Sequence, residues 1–262
     1  MLAGVYFMKK KDGTPYYKAS INYENKHISL GSFPTEKAAH LAYTSAKEIL
    51  GNADIPLQDY HSFSNYLTFE KWVVLINFRD HHVYIKNPIY LHKNYFSYYL
   101  DLHTELKFDI DDLFYYSTHK IQRRQGYLFV ADYGMQINIL SRYGIHNFSV
   151  CGRDYEFVNK DNTDYRYKNI RVINRYYGVT KQVVKGQNRY TASIHINGTF
   201  IIGKYKSEEE AAIAYNKAID TVREAGCKKE FTPNYLVDLS EIEYAKIYHS
   251  LRISNKIREL TF

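Results

Sequence analysis

Cysteine is scarce in this chain. Cys151 and Cys227 are its only two, and they form neither a CxxC pair nor a metal-ligand spacing. A thiol redox pair and a cysteine-based metal cluster are therefore excluded, and both residues are read as packing residues of a reducing compartment. Long apolar runs are absent too. Nothing approaches the roughly 18 residues that a membrane span needs. The opening "MLAGVYFMKKK" is too short and has its lysines on the wrong side for a secretory signal, so a bacterial cytoplasmic, nucleoid-associated protein with no membrane partner is expected. Acids are missing from one long stretch. Between Tyr165 and Ser207 there is no Asp or Glu, while Arg166, Lys168, Arg171, Arg175, Lys181, Lys185, Arg189, Lys204 and Lys206 all occur. Lys9, Lys10 and Lys11 form a second basic cluster. A net charge of +7 is modest, but this placement among Tyr and Asn points to a polyanion partner. With 45% hydrophobic residues in 262, the chain has material for real cores.

What the chain does have is a repeat. "GVYFMKKKDGTPYYKASINYENKHISLGSFPTEKAAHLAYTSAKEILG" near the start matches "GVTKQVVKGQNRYTASIHINGTFIIGKYKSEEEAAIAYNKAIDTVREAG" near the end. Gly4-Val5 aligns with Gly178-Val179, Tyr17, Ala19, Ser20 and Ile21 with Tyr190, Ala192, Ser193 and Ile194, and Leu30-Gly31 with Ile202-Gly203. Ala38, Ala39, Ala42 and Tyr43 align with Ala211, Ala212, Ala214 and Tyr215. Each copy predicts three short strands and a helix. "YYKASINY" and "YTASIHI" alternate at period two, and "YENK" and "NG" supply hairpin turns. Thr35 and Ser207 start the helices, the latter as a capping box with Glu210. Ala38, Ala42 and Ala46, and Ala211, Tyr215 and Ala218, line the buried helix faces. Gly51 and Gly226 are the expected helix stops.

The pattern "GV…A.I…LG.F.T…AA.AY", found twice, resembles the AP2 DNA-binding domain. That resemblance implies a three-stranded sheet laid in the major groove with the helix behind it. Carried over by position, the groove-facing residues are Tyr6, Met8, Ser20, Asn22, His27 and Ser29 in one copy and Thr180, Gln182, Ser193, His195, Thr199 and Ile201 in the other. Lys9, Lys10, Lys11, Lys18, Lys181, Lys185 and Arg189 would flank them. The family's tryptophan is Tyr17 or Tyr190 here and most of its sheet arginines are missing. Amide, hydroxyl and imidazole groups can still donate and accept at base edges, and lysines can hold phosphates.

Between the repeats, "FEKWVVLINFRDHHVYIKNPIYLHKNYFSYYLDLH" reads as aromatic and strand-like, without a motif. Further on, "FDIDDLFYYSTHKIQRRQGYLFVADYG" and "DYRYKNIRV" resemble segments of phage-type HNH homing endonucleases. HNH chemistry uses a His as general base and an Asp with a later Asn or His to hold one divalent metal. The family's Asp-His pair would fall on Glu156 and Phe157, its earlier His near Asn138 or Ile139, and its late Asn on Asn174. Phe157 accepts no proton. Asp164, Arg166, Asn169, Ile170 and Arg171 are retained as structural residues, while the chemical positions are lost. No catalytic residue, metal or cofactor is therefore expected. His146 and the pair His81-His82 are the alternative bases. The tail "SEIEYAKIYHSLRISNKIREL" predicts a packing helix with Ser240 and Glu243 as a capping box and a stripe of Ile242, Ala245, Ile247, Tyr248 and Leu251.

These readings combine into an α+β chain: an AP2-like domain (1–52), a central domain (53–175) with a degenerate ββα HNH-like segment (about 108–175), a second AP2-like domain (176–235) and a C-terminal helix (236–262). The expected function is sequence-specific binding of double-stranded DNA without cleavage by a phage or mobile-element protein. Transcriptional control is one role it would serve. Arg166, Lys168, Arg171 and Arg175 would contribute to binding. One alternative is a live HNH endonuclease with rearranged ligands. Another is an inhibitor that binds a host defence nuclease through Asp101, Glu105, Asp109, Asp111 and Asp112. The oligomeric state is left open.

Overall fold

The computed structural model describes residues 1–63 and 66–262. The chain is mixed α and β. Among the described residues it forms four three-stranded antiparallel sheets, one two-stranded sheet and six α-helices. None of these helices is long and apolar enough to cross a membrane. The chain divides into two compact units. The first is Met1–Ile139 with Asp161–Asn169, and the second is Leu140–Lys160 with Ile170–Phe262. The segment 108–175 is thus shared between them.

The first unit opens with β1 (Val5–Lys9), β2 (Pro15–Tyr23) and β3 (Lys26–Phe33), an antiparallel meander followed by α1 (Glu36–Gly51). The β2–β3 turn carries positive φ at Glu24 and Asn25, as a two-residue turn matched to strand twist requires. Thr35 caps α1 by accepting from the Ala38 amide. The helix buries Ala39, Ala42, Ser45, Ala46, Ile49 and Leu50 against Val5, Ala19, Ile21, Ile28 and Leu30 of the sheet. Ala38, expected on that face, is only half-buried; the face turns to Ala39, in line with Ala42, Ala46 and Ile49. Gly51 is the last helical residue rather than the stop, and Asn52 caps the end.

The stretch expected to be strand-like begins as a helix, α2 (Phe69–His81). Every residue from Trp72 to Arg79 is buried. A helix packed on all sides shows no polar face, so the periodicity that would betray it is erased. Local signals remain: Thr68 accepts from the Lys71 amide, and His82 closes the helix in the left-handed region. Trp72, Leu75, Ile76 and Phe78 share one core with the first repeat, and the Arg79 guanidinium donates to the carbonyls of Ile49 and Asn52 at the end of α1. Next come β4 (Ile89–Leu91), β5 (Tyr95–Asp101) and β6 (Thr104–Asp109), then α3 (Leu113–Thr118), then β7 (Ile121–Arg124), β8 (Tyr127–Asp132) and β9 (Met135–Asn138). Residues 163–165 lie against β6, with Lys107 donating to the Thr163 carbonyl and accepting from the Tyr165 amide.

The second unit contains β10 (Tyr155–Phe157) paired with β11 (Ile170–Val172). A ββα unit was expected, but no helix lies between β11 and β12 (Val179–Val184). Only six residues separate these strands, and the Asn174 side chain is tied into the turn by three hydrogen bonds, which leaves no length for one. The second repeat follows: β12, β13 (Gln187–His195), β14 (Thr199–Tyr205) and α4 (Glu208–Glu224). Ser207 caps α4, but the Glu210 carboxylate accepts from the Lys206 amide, one residue short of a full capping box. Gly226, at φ 94°, ends that helical segment. The tail is not one packed helix. It breaks into α5 (Glu241–Ser250), none of whose residues is fully buried, and α6 (Asn255–Arg258); of the expected stripe Ile247, Tyr248 and Leu251 are half-buried. The anchors are Ile253 and Ile257, both in the core of the second repeat, while Ile242 of the expected stripe is 68% exposed.

The two repeats share a backbone peculiarity as well as an outline. In each, the central pair of strands slips by one residue at the same place. Ala19 faces Gly31 and Ser20 faces Ser29; Ala192 faces Gly203 and Ser193 faces Ile201. Gly4 and Gly178 both hold positive φ, 74° and 68°, and a Cβ at either would run into the ring of Tyr43 or Tyr215. The sequence pairing of "GV" with a distant "AY" is this contact: only glycine leaves room for the helix tyrosine beneath the first strand.

Candidate nucleic-acid interface

In each repeat the helix covers one side of the sheet. Alternation places Tyr6, Met8, Tyr16, Lys18, Ser20, Asn22, His27, Ser29 and Ser32 on the opposite side of the first sheet. Tyr6 and Met8 are open to solvent, as are Lys18, Asn22, His27 and Ser29. Ser20 departs from expectation. It is buried and its hydroxyl has no partner among the described residues. A short side chain at the middle of the central strand, flanked on both sides, does not rise above its neighbours. At the far end of the face, His27 and Asn22 stand opposite each other and share a hydrogen bond of 3.0 Å. Lys9, Lys10 and Lys11, in and beside the β1–β2 turn, are exposed, and neither they nor Lys18 make an ion pair among the described residues.

The second sheet presents Thr180, Gln182, Arg189, Thr191, Ser193, His195, Thr199, Ile201 and Lys204 on its uncovered side. His195 and Thr199 face each other at 3.2 Å, the place held by Asn22 and His27 in the first copy. Each repeat therefore ends its open face in a hydrogen-bonded cross-strand pair containing one imidazole. Gln182, His195, Thr199 and Lys204 are exposed, Thr180 and Ser193 half-buried. Arg189 faces Gln182 and is the one arginine in the six strands of the two sheets. Lys185 sits in the β12–β13 turn with φ 51° and is exposed. A cavity of about 580 Å³ runs along the β14 edge, bounded by Thr199, Ile201 and Gly203 on the strand and by Ser254 and Lys256 on the tail. Tyr16, Ser32, Thr191 and Lys256 join the site only in the structure, and Lys204, expected only as part of the basic run, joins the open face. Stepping in twos from Ser20 and Ser193 reaches Tyr16 and Thr191; Ser32 and Lys204 lie beyond the one-residue slip, which breaks the count from Ser29 and Ile201, and Lys256 arrives only through the tail's path.

Several expected basic contacts lie elsewhere. Lys181 alternates onto the helix-facing side, in line with buried Val179. Arg166 is committed to Asp164, 2.6 Å away, and lies over the Tyr95 ring. Asp164 is almost wholly buried, so withdrawing its partner would leave a bare charge in the interior. Arg175 bonds to Glu208 and stacks on Tyr176; burial works against its charge, but Glu208 more than offsets it and holds its pKa above the ordinary value. Arg171 is exposed but paired with Glu156 across the β10–β11 ladder. Of this group only Lys168 is both exposed and without an ion pair among the described residues.

The positions aligned with HNH chemistry are occupied structurally. The Asn174 amide donates to the Arg153 carbonyl and the Asp154 carboxylate, and its oxygen accepts from the Lys181 amide. Burial raises the pKa of Asp154, but hydrogen bonds from Arg153, the Val150 amide and Asn174 outweigh it and leave the carboxyl below its usual range. Asn169 donates to the Asp161 and Asp164 carbonyls, a structural part as read from the sequence. His146 lies against the Tyr177 ring, tilted by 36°, and His82 pairs with Glu24. Among the described residues no group of three His, Cys, Asp or Glu side chains could hold a metal ion. The acidic group is largely engaged: Asp101 with Arg123 and Thr104, Glu105 with Ser97, Asp109 with the Tyr167 amide, and Asp112 is buried. No family model, curated protein or solved structure matches this chain.

Proposed function

We propose that this protein binds double-stranded DNA sequence-specifically through the open faces of its two three-stranded sheets, without cutting it. One observation carries the reading. Twice, the chain builds a helix-backed sheet with the same slip and the same glycine–tyrosine contact, and twice the other side is left open, mostly polar, and flanked by lysines without ion pairs among the described residues. A sheet face of this kind offers donors and acceptors at base edges, and lysines at its rim neutralise phosphates. The AP2-like pattern supports the same use of the same face. The engagement of Glu156 and Asn174 in structural contacts favours binding without cleavage over an active HNH nuclease. The internal partners of the acidic group favour DNA over a basic protein partner. Transcriptional control by a phage or mobile-element protein is the role proposed.

The test is selection of bound sequences from a random duplex pool with the full-length protein, followed by titration at several salt concentrations. A specific sequence should emerge. Lys9→Gln/Lys10→Gln/Lys11→Gln should flatten the slope of log affinity against log salt by up to about 2.7 units, at about 0.9 per phosphate contact. Incubation with Mg²⁺ or Mn²⁺ should leave the DNA intact. Absence of duplex binding, or binding indifferent to salt, overturns the proposal.

A further inference from the structure

We propose that the first unit carries a phosphate-binding cleft formed by Lys71, Lys86 and Lys120, apart from both sheet faces. The three lysines line one cavity of about 140 Å³, together with Glu70 and Asn87. They come from three places: the first turn of α2, the approach to β4 and the residue before β7. Glu70 is the only carboxylate in the lining, and Lys120 holds it at 2.7 Å. Lys71 and Lys86 make no ion pair among the described residues. Lys71 is half-buried; burial lowers its pKa and the charge of Lys86 lowers it further, against a smaller rise from Glu70. Three lysines around one concavity face a single carboxylate there, and the positive surplus suits an anion.

The chemistry narrows that anion to a phosphate group. Lysines act as point charges on phosphate oxygens, whereas paired recognition of a planar carboxylate favours arginine, and no arginine lines the cleft. The N-terminal end of α2, capped by Thr68, adds its partial positive charge. A cavity of about 150 Å³ takes a ligand the size of benzene, so this one admits a group of a few heavy atoms. A backbone diester of duplex DNA and a small phosphate monoester present the same oxygens, and the experiment separates them. The cleft stands independently of the DNA reading.

Full-length protein is melted with increasing inorganic phosphate at constant ionic strength, and separately titrated with a random-sequence duplex across salt. Phosphate should raise the Tm of the wild type, and Lys71→Gln/Lys86→Gln should abolish the rise. Glu70→Gln, at an exposed position, should enlarge it by freeing Lys120; it also carries the test if the double variant does not fold. If the cleft grips the DNA backbone, the double variant flattens the log–log salt slope by about 1.8 units. If it takes a small phosphate, that slope stays at the wild-type value while the Tm response is lost. A wild type that responds to phosphate but binds no duplex keeps the cleft and removes the DNA function. A Tm response absent in the wild type, or unchanged in both variants, together with an unchanged salt slope, overturns the cleft.

Discussion

The two repeats solve one folding problem with different partners. Both lay three strands over a helix of small residues, and both must cover that helix from behind. The first does so with α2, whose Trp72 is fully buried. The second does so with the chain's tail, through Ile253 and Ile257. A small-residue helix sits close to its sheet but buries little apolar area itself, so each repeat needs the extra layer for a core of useful size. The open faces differ as well. The first presents Tyr6, Met8 and Lys18; the second presents Thr180, Gln182 and the single arginine, Arg189. The frame is shared because it holds the chain together, and the faces diverge because nothing in the fold constrains them. Residues 1–52 leave out Trp72, Leu75 and Ile76, so a fragment cut there lacks part of its own core.

The largest effects should come from removing the backing layers. Trp72→Ala should cost about 3–5 kcal/mol and Ile257→Ala about 2–5 kcal/mol. Hydrogen exchange should show the first loosening β1–β3 and the second loosening β12–β14. Loss of protection in both sheets from either substitution would break the idea of separately backed repeats.

Next in size are the paired glycines. Gly4→Ala and Gly178→Ala both force a side chain into positive φ and against a tyrosine ring, for a combined cost of roughly 2–4 kcal/mol. Gly178→Ala should be the worse, because its Cβ also meets the Ser193 carbonyl, which cannot swing aside as a ring can. Denaturant titration ranks them, and equal costs would show that the tyrosine alone sets the requirement.

On the open faces, Arg189→Ala should lose about 1–3 kcal/mol of DNA affinity and relax the selected sequence at one position, as loss of a bidentate guanine contact does. Lys18→Ala, in the neighbouring pairing row of the first sheet, should weaken all sequences alike by less. A uniform loss from Arg189→Ala would mean that it holds phosphate, and the two sheets would then differ less than their side chains suggest.

The smallest expected effect is a pH dependence confined to the second unit. The pKa of Asp154 is lowered by folding, so the stability it contributes is present above the unfolded carboxyl value of about 4 and is lost as pH falls below it. Asp154→Asn should flatten that acid-side loss in β12–β14 while leaving β1–β3 unchanged.

Most of the two repeats was legible from residues alone. Alternation at period two, turn residues such as Glu24-Asn25, and helix caps at Thr35 and Ser207 are local signals that survive without tertiary context. Gly4 and Gly178 were visible as a pattern, but their reason, a tyrosine ring from a helix far along the chain, was not. On the first two strands of each repeat, open-face residues could be placed by counting in twos; on the third the slip shifts the count before Ser32 and Lys204. The burial of Ser20 could not, since it depends on what flanks a short side chain.

The sequence by itself thus determined the duplicated strand–strand–strand–helix units and their turns, because these rest on interactions between near neighbours. Tertiary structure decided the rest. It made a helix of the Trp72 segment, whose burial on every side hides any period. It split the tail and anchored it at Ile253 and Ile257. It assigned Arg166 to Asp164 and Arg175 to Glu208, while leaving the lysines around the sheets without ion pairs among the described residues. A charge in the sequence is the same letter whether it holds a partner or faces water, and only the folded chain sets the distance between it and the nearest opposite charge.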